Sequence, residues 1–152
     1  MEFITKKNIK KISLGVFIIY LGILIYVTLI HKNDYVYGNA ANFDLFSTIL
    51  LMWNSGSPYL ILMNVFGNIA LFAPMGFFIS ILARKLDGFI PMFITGFLAS
   101  SIIEILQYKV TNRVFDVDDI FLNSVGALMG WMAMRLTRFI FKRILGAKGA
   151  GA

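Results

Sequence analysis

Four long apolar segments restrict the folds that are open to this chain. They run from about Ile12 to Ile30, Tyr59 to Leu82, Phe89 to Tyr108 and Ile120 to Leu136. Each is close to the roughly 20 residues that a helix needs to cross a lipid bilayer. The pattern predicts an all-α integral membrane protein that folds as a four-transmembrane-helix bundle.

The composition agrees with one small membrane domain. The 152 residues have a mean hydropathy of +0.79, and 59% of them are hydrophobic. Only 14% are charged, whereas soluble domains carry about 25% charged residues. There is no internal repeat or low-complexity tract, so a single domain is predicted over residues 1–145. The small-residue segment 146–152 is interpreted as a flexible tail of the kind that expression cloning adds.

Several kinds of site are disfavoured. The chain has no cysteine, which excludes disulfides and thiolate chemistry. His31 follows an apolar run without metal-ligand spacing, so it is predicted to be an interfacial residue, and no metal or other cofactor is expected. The net charge of +6 could indicate a nucleic-acid partner. However, the cations cluster at the ends of apolar segments and do not alternate with aromatic residues, so no nucleic acid is expected.

The placement of lysine and arginine predicts an orientation. Cytoplasmic loops carry the excess of positive charge. Eleven of the fourteen Lys and Arg residues fall on one side of the predicted bundle, and only Lys32, Lys109 and Arg113 fall on the other. Both termini are therefore expected on the cytoplasmic side. In the first outer loop, the apolar run from Phe43 to Trp53 is too short to span and predicts an interfacial or re-entrant helix.

Amides and glycines interrupt the apolar surface of the second and fourth segments. Asn64 and Asn68 are four residues apart, which predicts that they share one helix face. Gly76 permits a close approach by another helix, and the spacing of Gly126 and Gly130 is typical of close packing between membrane helices. The two amides either bond between helices as structural groups or contact a ligand directly.

The third segment carries an ionisable residue at membrane depth. Glu104 and Gln107 are three residues apart and adjacent on one helix face. A carboxylate is costly in lipid, and such residues usually face a bundle interior or a polar cavity. Two interpretations stay open. Glu104 either forms an ion pair with Arg113 of the following loop, or belongs to a site that meets a ligand.

Acidic residues mark the start of the fourth segment. Asp116, Asp119 and Asn123 follow one another at helical spacing. A helix N-terminus favours acidic residues, and this preference explains one or two of Asp116, Asp118 and Asp119. Bundling brings the outer ends of the second, third and fourth helices together, so a polar pocket is predicted at the outer leaflet. Its candidate members are Asn64, Asn68, Glu104, Gln107, Arg113, Asp116, Asp119 and Asn123.

The order of these residues resembles the VanZ-like family of bacterial membrane proteins. Three stretches carry the resemblance: Asn64-Val-Phe-Gly-Asn-Ile-Ala-Leu-Phe-Ala-Pro-Met-Gly76, Glu104-Ile-Leu-Gln107 and Arg113-Val-Phe-Asp-Val-Asp-Asp-Ile-Phe-Leu-Asn-Ser-Val-Gly126. Upstream, Asn42-Phe-Asp-Leu-Phe46 resembles the family's Asn-Leu-x-Pro-Phe segment, with Leu45 in place of the proline. The resemblance covers about residues 42–130.

The resemblance implies a role at the bacterial cell envelope, because the family's named member confers low-level resistance to the lipoglycopeptide teicoplanin. Together with the predicted outer pocket, this role gives the first hypothesis: a multi-pass protein of the cytoplasmic membrane whose pocket binds a membrane lipid, the lipoglycopeptide or a cell-wall lipid precursor. An oligomer is compatible with this interpretation.

Two alternatives stay open. The first is an intramembrane enzyme that acts on lipid or lipid-linked headgroups, since two carboxylates in different environments can divide acid and base roles. Asp116, Asp119 and Glu104 could instead supply oxygen ligands to a divalent cation. The second alternative is a small lipid transporter. The sequence leaves enzymatic activity open.

Overall fold

The protein is almost entirely helical. The structure, a computed structural model, describes residues 6–30, 41–111 and 113–149. The prediction for His31 lies outside these residues. In chain order the elements are α1 (Lys6–Ile25), a π-helical turn (Tyr26–Ile30), β1 (Ala41–Asn42), α2 (Ser47–Asn54), α3 (Pro58–Leu60), a π-helical stretch (Ile61–Phe66), α4 (Gly67–Leu82), a 3₁₀ turn (Arg84–Leu86), α5 (Phe89–Val110), β2 (Phe115–Asp116) and α6 (Val117–Gly149).

Three helical stretches are long and apolar enough to cross a membrane. They are Lys7–Ile30, Pro58–Leu82 and Phe89–Val110, which match the first three predicted segments. Over residues 120–136 the chain is also helical, but α6 is not among the candidate spans found in the described residues. Its buried residues include Asn123 and Ser124. These polar residues lower the mean hydropathy of α6, and their burial removes them from contact with lipid.

The backbones of α4 and α6 are in direct contact. A Cβ atom placed on Gly130 would lie 1.7 Å from the carbonyl oxygen of Ala73, and one placed on Gly126 would lie 2.3 Å from that of Ile69. Only glycine permits this approach, since any side chain would force the helices apart. The close packing predicted from the Gly126–Gly130 spacing is therefore confirmed.

The remaining long helices surround this pair. α5 packs on α6, and α1 lies against α4. Most apolar side chains of the three candidate spans point away from the protein, as expected for helices surrounded by lipid. The small buried core combines residues of all four long helices: Leu24, Phe72, Met75, Met92, Ala127 and Trp131.

The basic segments of the chain meet at one end of the molecule. Phe17 contacts Phe78, with ring centroids 6.1 Å apart, so the basic start of α1 lies near the 3₁₀ turn that follows α4. The basic second half of α6 reaches the same end, where Asp87 accepts hydrogen bonds from Trp131 Nε1 (3.0 Å) and from Arg138. The cations that were predicted to share one side of the bundle therefore collect at one end of the structure.

The apolar run in the first loop forms a short helix with an open apolar face. Helix α2 begins at Ser47, after Phe46 adopts a left-handed backbone conformation with φ of 70°. Leu50, Leu51 and Trp53 are 56%, 68% and 68% exposed. The predicted helix is present, and its apolar side chains are available to lipid.

Replacing Gly76 by alanine should destabilise the protein, because the added methyl group would lie 1.8 Å from the Ala127 carbonyl oxygen. Overpacking of this kind costs about 1–3 kcal/mol. Gly22→Ala is the matched control, since nothing lies within 4 Å of its added Cβ, and alanine is the better helix former. Thermal unfolding in detergent should show a lower Tm for Gly76→Ala only. Equal Tm values for the two variants would contradict the close contact.

Candidate functional site at the acidic end

The acidic end is organised around the loop that leads into α2. A short parallel bridge pairs β1 with β2, placing Ala41 opposite Phe115 and Asn42 opposite Asp116. Sequence reasoning missed this bridge because two residues are too few to show a strand pattern. The bridge holds residues 42–49, termed here the 42–49 loop, against the start of α6.

Asp118 caps α2 from a distant part of the chain. Its side chain is fully buried, and its carboxylate accepts hydrogen bonds from the backbone N–H groups of Phe46, Thr48 (2.9 Å) and Ile49 (3.1 Å). Phe46, which precedes the helix, has no side chain that can cap it. Helix N-termini favour such an acceptor and its negative charge. The structure therefore gives Asp118 a structural role at the start of α2.

Asp116 holds the same loop. Its carboxylate accepts hydrogen bonds from the Thr48 hydroxyl (2.6 Å), the Asn42 amide (3.3 Å) and the backbone N–H of Asp118 (2.9 Å). Three donors from the protein itself satisfy most of this carboxylate's acceptor capacity. Asp116 was predicted as a ligand-binding residue, and the structure adds a role in fixing the loop that the prediction did not contain.

Glu104 and Asp119 are the other two acids at this end. Asp119 accepts a hydrogen bond from the Asn68 amide at 2.5 Å, which joins α4 to α6. Glu104, only 3% exposed, accepts the backbone N–H of Asp116 at 3.3 Å. The two carboxylates are near enough to repel each other. The structure thus brings together three residues that the sequence predicted to share one site.

A second polar contact lies one helical turn away from these acids. Asn123, four residues after Asp119 on α6, donates a hydrogen bond to Ser100 at 2.8 Å. Ser100 in turn lies four residues before Glu104 on α5, so both groups lie along the same α5–α6 interface as the carboxylates. We refer to this set of residues as the acidic seam: Asn68, Ser100, Glu104, Asp119 and Asn123.

Arg113 lies near the acidic seam without forming a salt bridge to it. Its guanidinium attracts the carboxylates of Glu104 and Asp119. Within the described ranges, however, the ion pair closer than 4 Å joins Arg138 to Asp87 at the opposite end. The Glu104–Arg113 ion pair that the sequence left open is therefore not formed. Glu104 is held instead by a backbone N–H group of the segment that follows α5.

Two predicted members of the pocket have partners elsewhere. Asn64 lies in the π-helical stretch before α4, and its amide donates to the Leu60 carbonyl of the same helix at 2.9 Å. Bonds from i to i+5 widen the turn, so the spacing of four residues no longer aligns Asn64 with Asn68. Gln107 is buried, but it donates to the Thr28 carbonyl at 2.9 Å and ties α5 to the end of the first span.

The acids at this end do not converge as metal ligands. In the part of the chain that the structure describes, no group of three His, Cys, Asp or Glu side chains is arranged to hold a metal ion. The reason is that Asp116 and Asp118 direct their carboxylates to the 42–49 loop.

The fold and the site define a class of protein: a helical membrane protein with buried acids at one end. The model of the VanZ/LLP1 family matches residues 17–140, a range that extends from α1 into the second half of α6 and includes the whole acidic seam. The chain belongs to the VanZ/LLP1 family, which confirms the resemblance carried by its motifs. No curated protein and no solved structure is significantly similar to it.

Replacing Asp118 by asparagine should loosen the start of α2. The amide keeps the size of the side chain but loses its charge and one acceptor oxygen, and a hydrogen bond to a charged group contributes about 1.5–3 kcal/mol. Hydrogen exchange at the Thr48 and Ile49 amides should accelerate. Asp44→Asn, which changes an exposed acid of the same loop, should leave both amides protected. Unchanged protection in Asp118→Asn would show that this carboxylate is not the cap.

Proposed function

We propose that this protein acts at the bacterial cell envelope and lowers susceptibility to lipoglycopeptides such as teicoplanin by binding drug or lipid at its acidic end. Membership of the VanZ/LLP1 family supports the envelope role. The observation that carries the proposal is the pair of carboxylates on Glu104 and Asp119, each of which receives one hydrogen bond. Ionisable groups in membrane-embedded helices are costly, and they typically mark functional sites.

In this proposal α6 is the fourth membrane crossing of a four-helix bundle. Its 33 residues extend over about 50 Å, which exceeds the hydrocarbon thickness of about 30 Å. The end where α1 begins and α6 terminates carries most of the cations, so the positive-inside rule places both termini in the cytoplasm. The acidic seam then faces the outer leaflet of the cytoplasmic membrane.

An apolar groove in the chain segment that precedes Asn68 suits an acyl chain. It has a volume of about 480 Å³ and opens between the end of α2 and the π-helical stretch before α4. The exposed apolar side chains of α2 place this helix at the membrane interface in the proposal, with Trp53 at headgroup level. An amphiphile would then position its acyl chain in the groove and its polar group towards the seam. The groove is lined by Trp53, Gly56, Pro58, Ile61, Leu62 and Phe66.

Cells that express the wild-type protein should become less susceptible to teicoplanin, and Glu104→Gln or Asp119→Asn should remove this protection. Both substitutions keep the side-chain size and remove one negative charge from the seam. Asp44→Asn removes an exposed acid at the same end and should protect as well as wild type. The minimal inhibitory concentration is compared at matched membrane levels. Protection that persists in both seam variants would exclude the seam, and no protection by well-inserted wild type would refute the function.

Filling the apolar groove should weaken protection without changing the fold. Leu62→Trp places an indole ring in the groove, whereas Leu51→Trp adds the same ring to the exposed face of α2. Leu62→Trp should bring teicoplanin susceptibility close to that of cells without the protein, and Leu51→Trp should retain protection. If the two variants protect equally, the groove does not bind the acyl chain.

A further inference from the structure

The acidic seam contains a buried acceptor that no group of the described chain satisfies. The Asn123 side chain is 4% exposed, and its Nδ2 donates to Ser100. Its Oδ1 is buried without any hydrogen-bond donor. Nearly all buried polar atoms in native proteins have a hydrogen-bond partner, and a buried polar atom without one costs about 1–3 kcal/mol of stability. An unpartnered oxygen at this position therefore suits a donor from outside the described residues.

The two carboxylates of the seam also have acceptor capacity to spare. Glu104 accepts one backbone N–H, and Asp119 accepts one amide N–H. An ionised carboxylate has about four lone-pair sites on its two oxygens. Glu104, Asp119 and Asn123 thus present three acceptor groups, and the described residues supply fewer donors than these groups can accept. Asp119 is only half-buried, so a ligand can approach the seam at the Asp119 carboxylate.

The charges at the seam also favour a ligand that donates hydrogen bonds. Glu104 and Asp119 repel each other, and Arg113 attracts both without forming a salt bridge in the described residues. Two acidic side chains thus share one guanidinium. A ligand that carries a positive charge together with N–H donors suits such a pair of acceptors.

We propose that the acidic seam binds a primary ammonium group, as carried by an aminophospholipid headgroup or by a free amine. An ammonium has three donors, one positive charge and no acceptor, which matches acceptors on Glu104, Asp119 and Asn123. Hydrogen bonds between charged partners are the strong ones. This inference rests on the proposed function, since it names the chemistry that the same seam recognises.

The test uses the full-length protein in detergent micelles and measures retained lipid by native mass spectrometry. The probes are phosphatidylethanolamine, phosphatidylcholine and phosphatidylglycerol with identical acyl chains. Choline keeps the positive charge but has no N–H donor, and the glycerol headgroup has no cation. Phosphatidylethanolamine should be retained about tenfold more tightly than either control, since a charged hydrogen bond contributes at least that factor. Equal retention of the ethanolamine and choline lipids would overturn the proposal.

Matched variants assign the preference to the seam. Glu104→Gln and Asp119→Asn should each reduce the preference for phosphatidylethanolamine about tenfold, while Asp44→Asn should leave it unchanged. A preference that survives in both seam variants would place the amine elsewhere and overturn the proposal. Because the assay contains no antibiotic, a failure here is distinguishable from a failure to protect cells.

A competition with the wild-type protein tests the same point without any substitution. Free ethanolamine should displace the lipid, and free choline should not. Displacement by ethanolamine assigns recognition to the ammonium itself, and displacement by amine-bearing lipid alone assigns it to an aminophospholipid. A third outcome is that neither free ethanolamine nor an amine-bearing lipid displaces the bound lipid, while infrared spectra show a protonated carboxyl that Glu104→Gln removes. In that case a proton, and no ammonium group, neutralises the seam, and the proposal is wrong.

Discussion

Backbone contact between α4 and α6 is the constraint on which the acidic seam depends. Gly126 lets the Ile69 carbonyl approach to a distance that any Cβ would block. Asn68 directly precedes Ile69, and Asp119 lies two helical turns before Gly126 on α6, so the same contact brings the amide within 2.5 Å of the carboxylate. Separation of the helices by the width of a methyl group would break this bond and leave the half-buried Asp119 carboxylate without its donor.

The four acids at this end differ in how many hydrogen-bond donors surround them. Asp116 and Asp118 are surrounded by donors of the 42–49 loop, and those donors include the first N–H groups of α2. Burying these two charges is therefore compensated within the fold. Glu104 and Asp119 face the helix interface instead, where one donor from the described residues reaches each of them. Four similar residues, close in sequence or in space, thus differ in how much capacity they retain for a ligand.

Predictions from the sequence were most reliable for features that depend on the spacing of residues close to one another along the chain. Sequence reasoning predicted four membrane segments, three of which are candidate spans in the structure, and the close Gly126–Gly130 contact. It also predicted that Asn68, Glu104 and Asp119 lie at one end, and the structure places them there. It did not foresee the π-helical stretch, in which the Asn64 amide donates to the Leu60 carbonyl of the same stretch of helix. It left the Glu104–Arg113 ion pair open, whereas the backbone of the following segment supplies the partner of Glu104.

By itself, the sequence determined the membrane class of this protein, its family and the grouping of its basic segments at one end. Those properties depend on composition and on residues within a turn or two of each other. Only the tertiary structure decided which acids are occupied and which remain available. The donors that Asp118 captures lie about 70 residues away along the chain. Long-range hydrogen bonds of this kind are set by how the helices pack, and no local pattern records them.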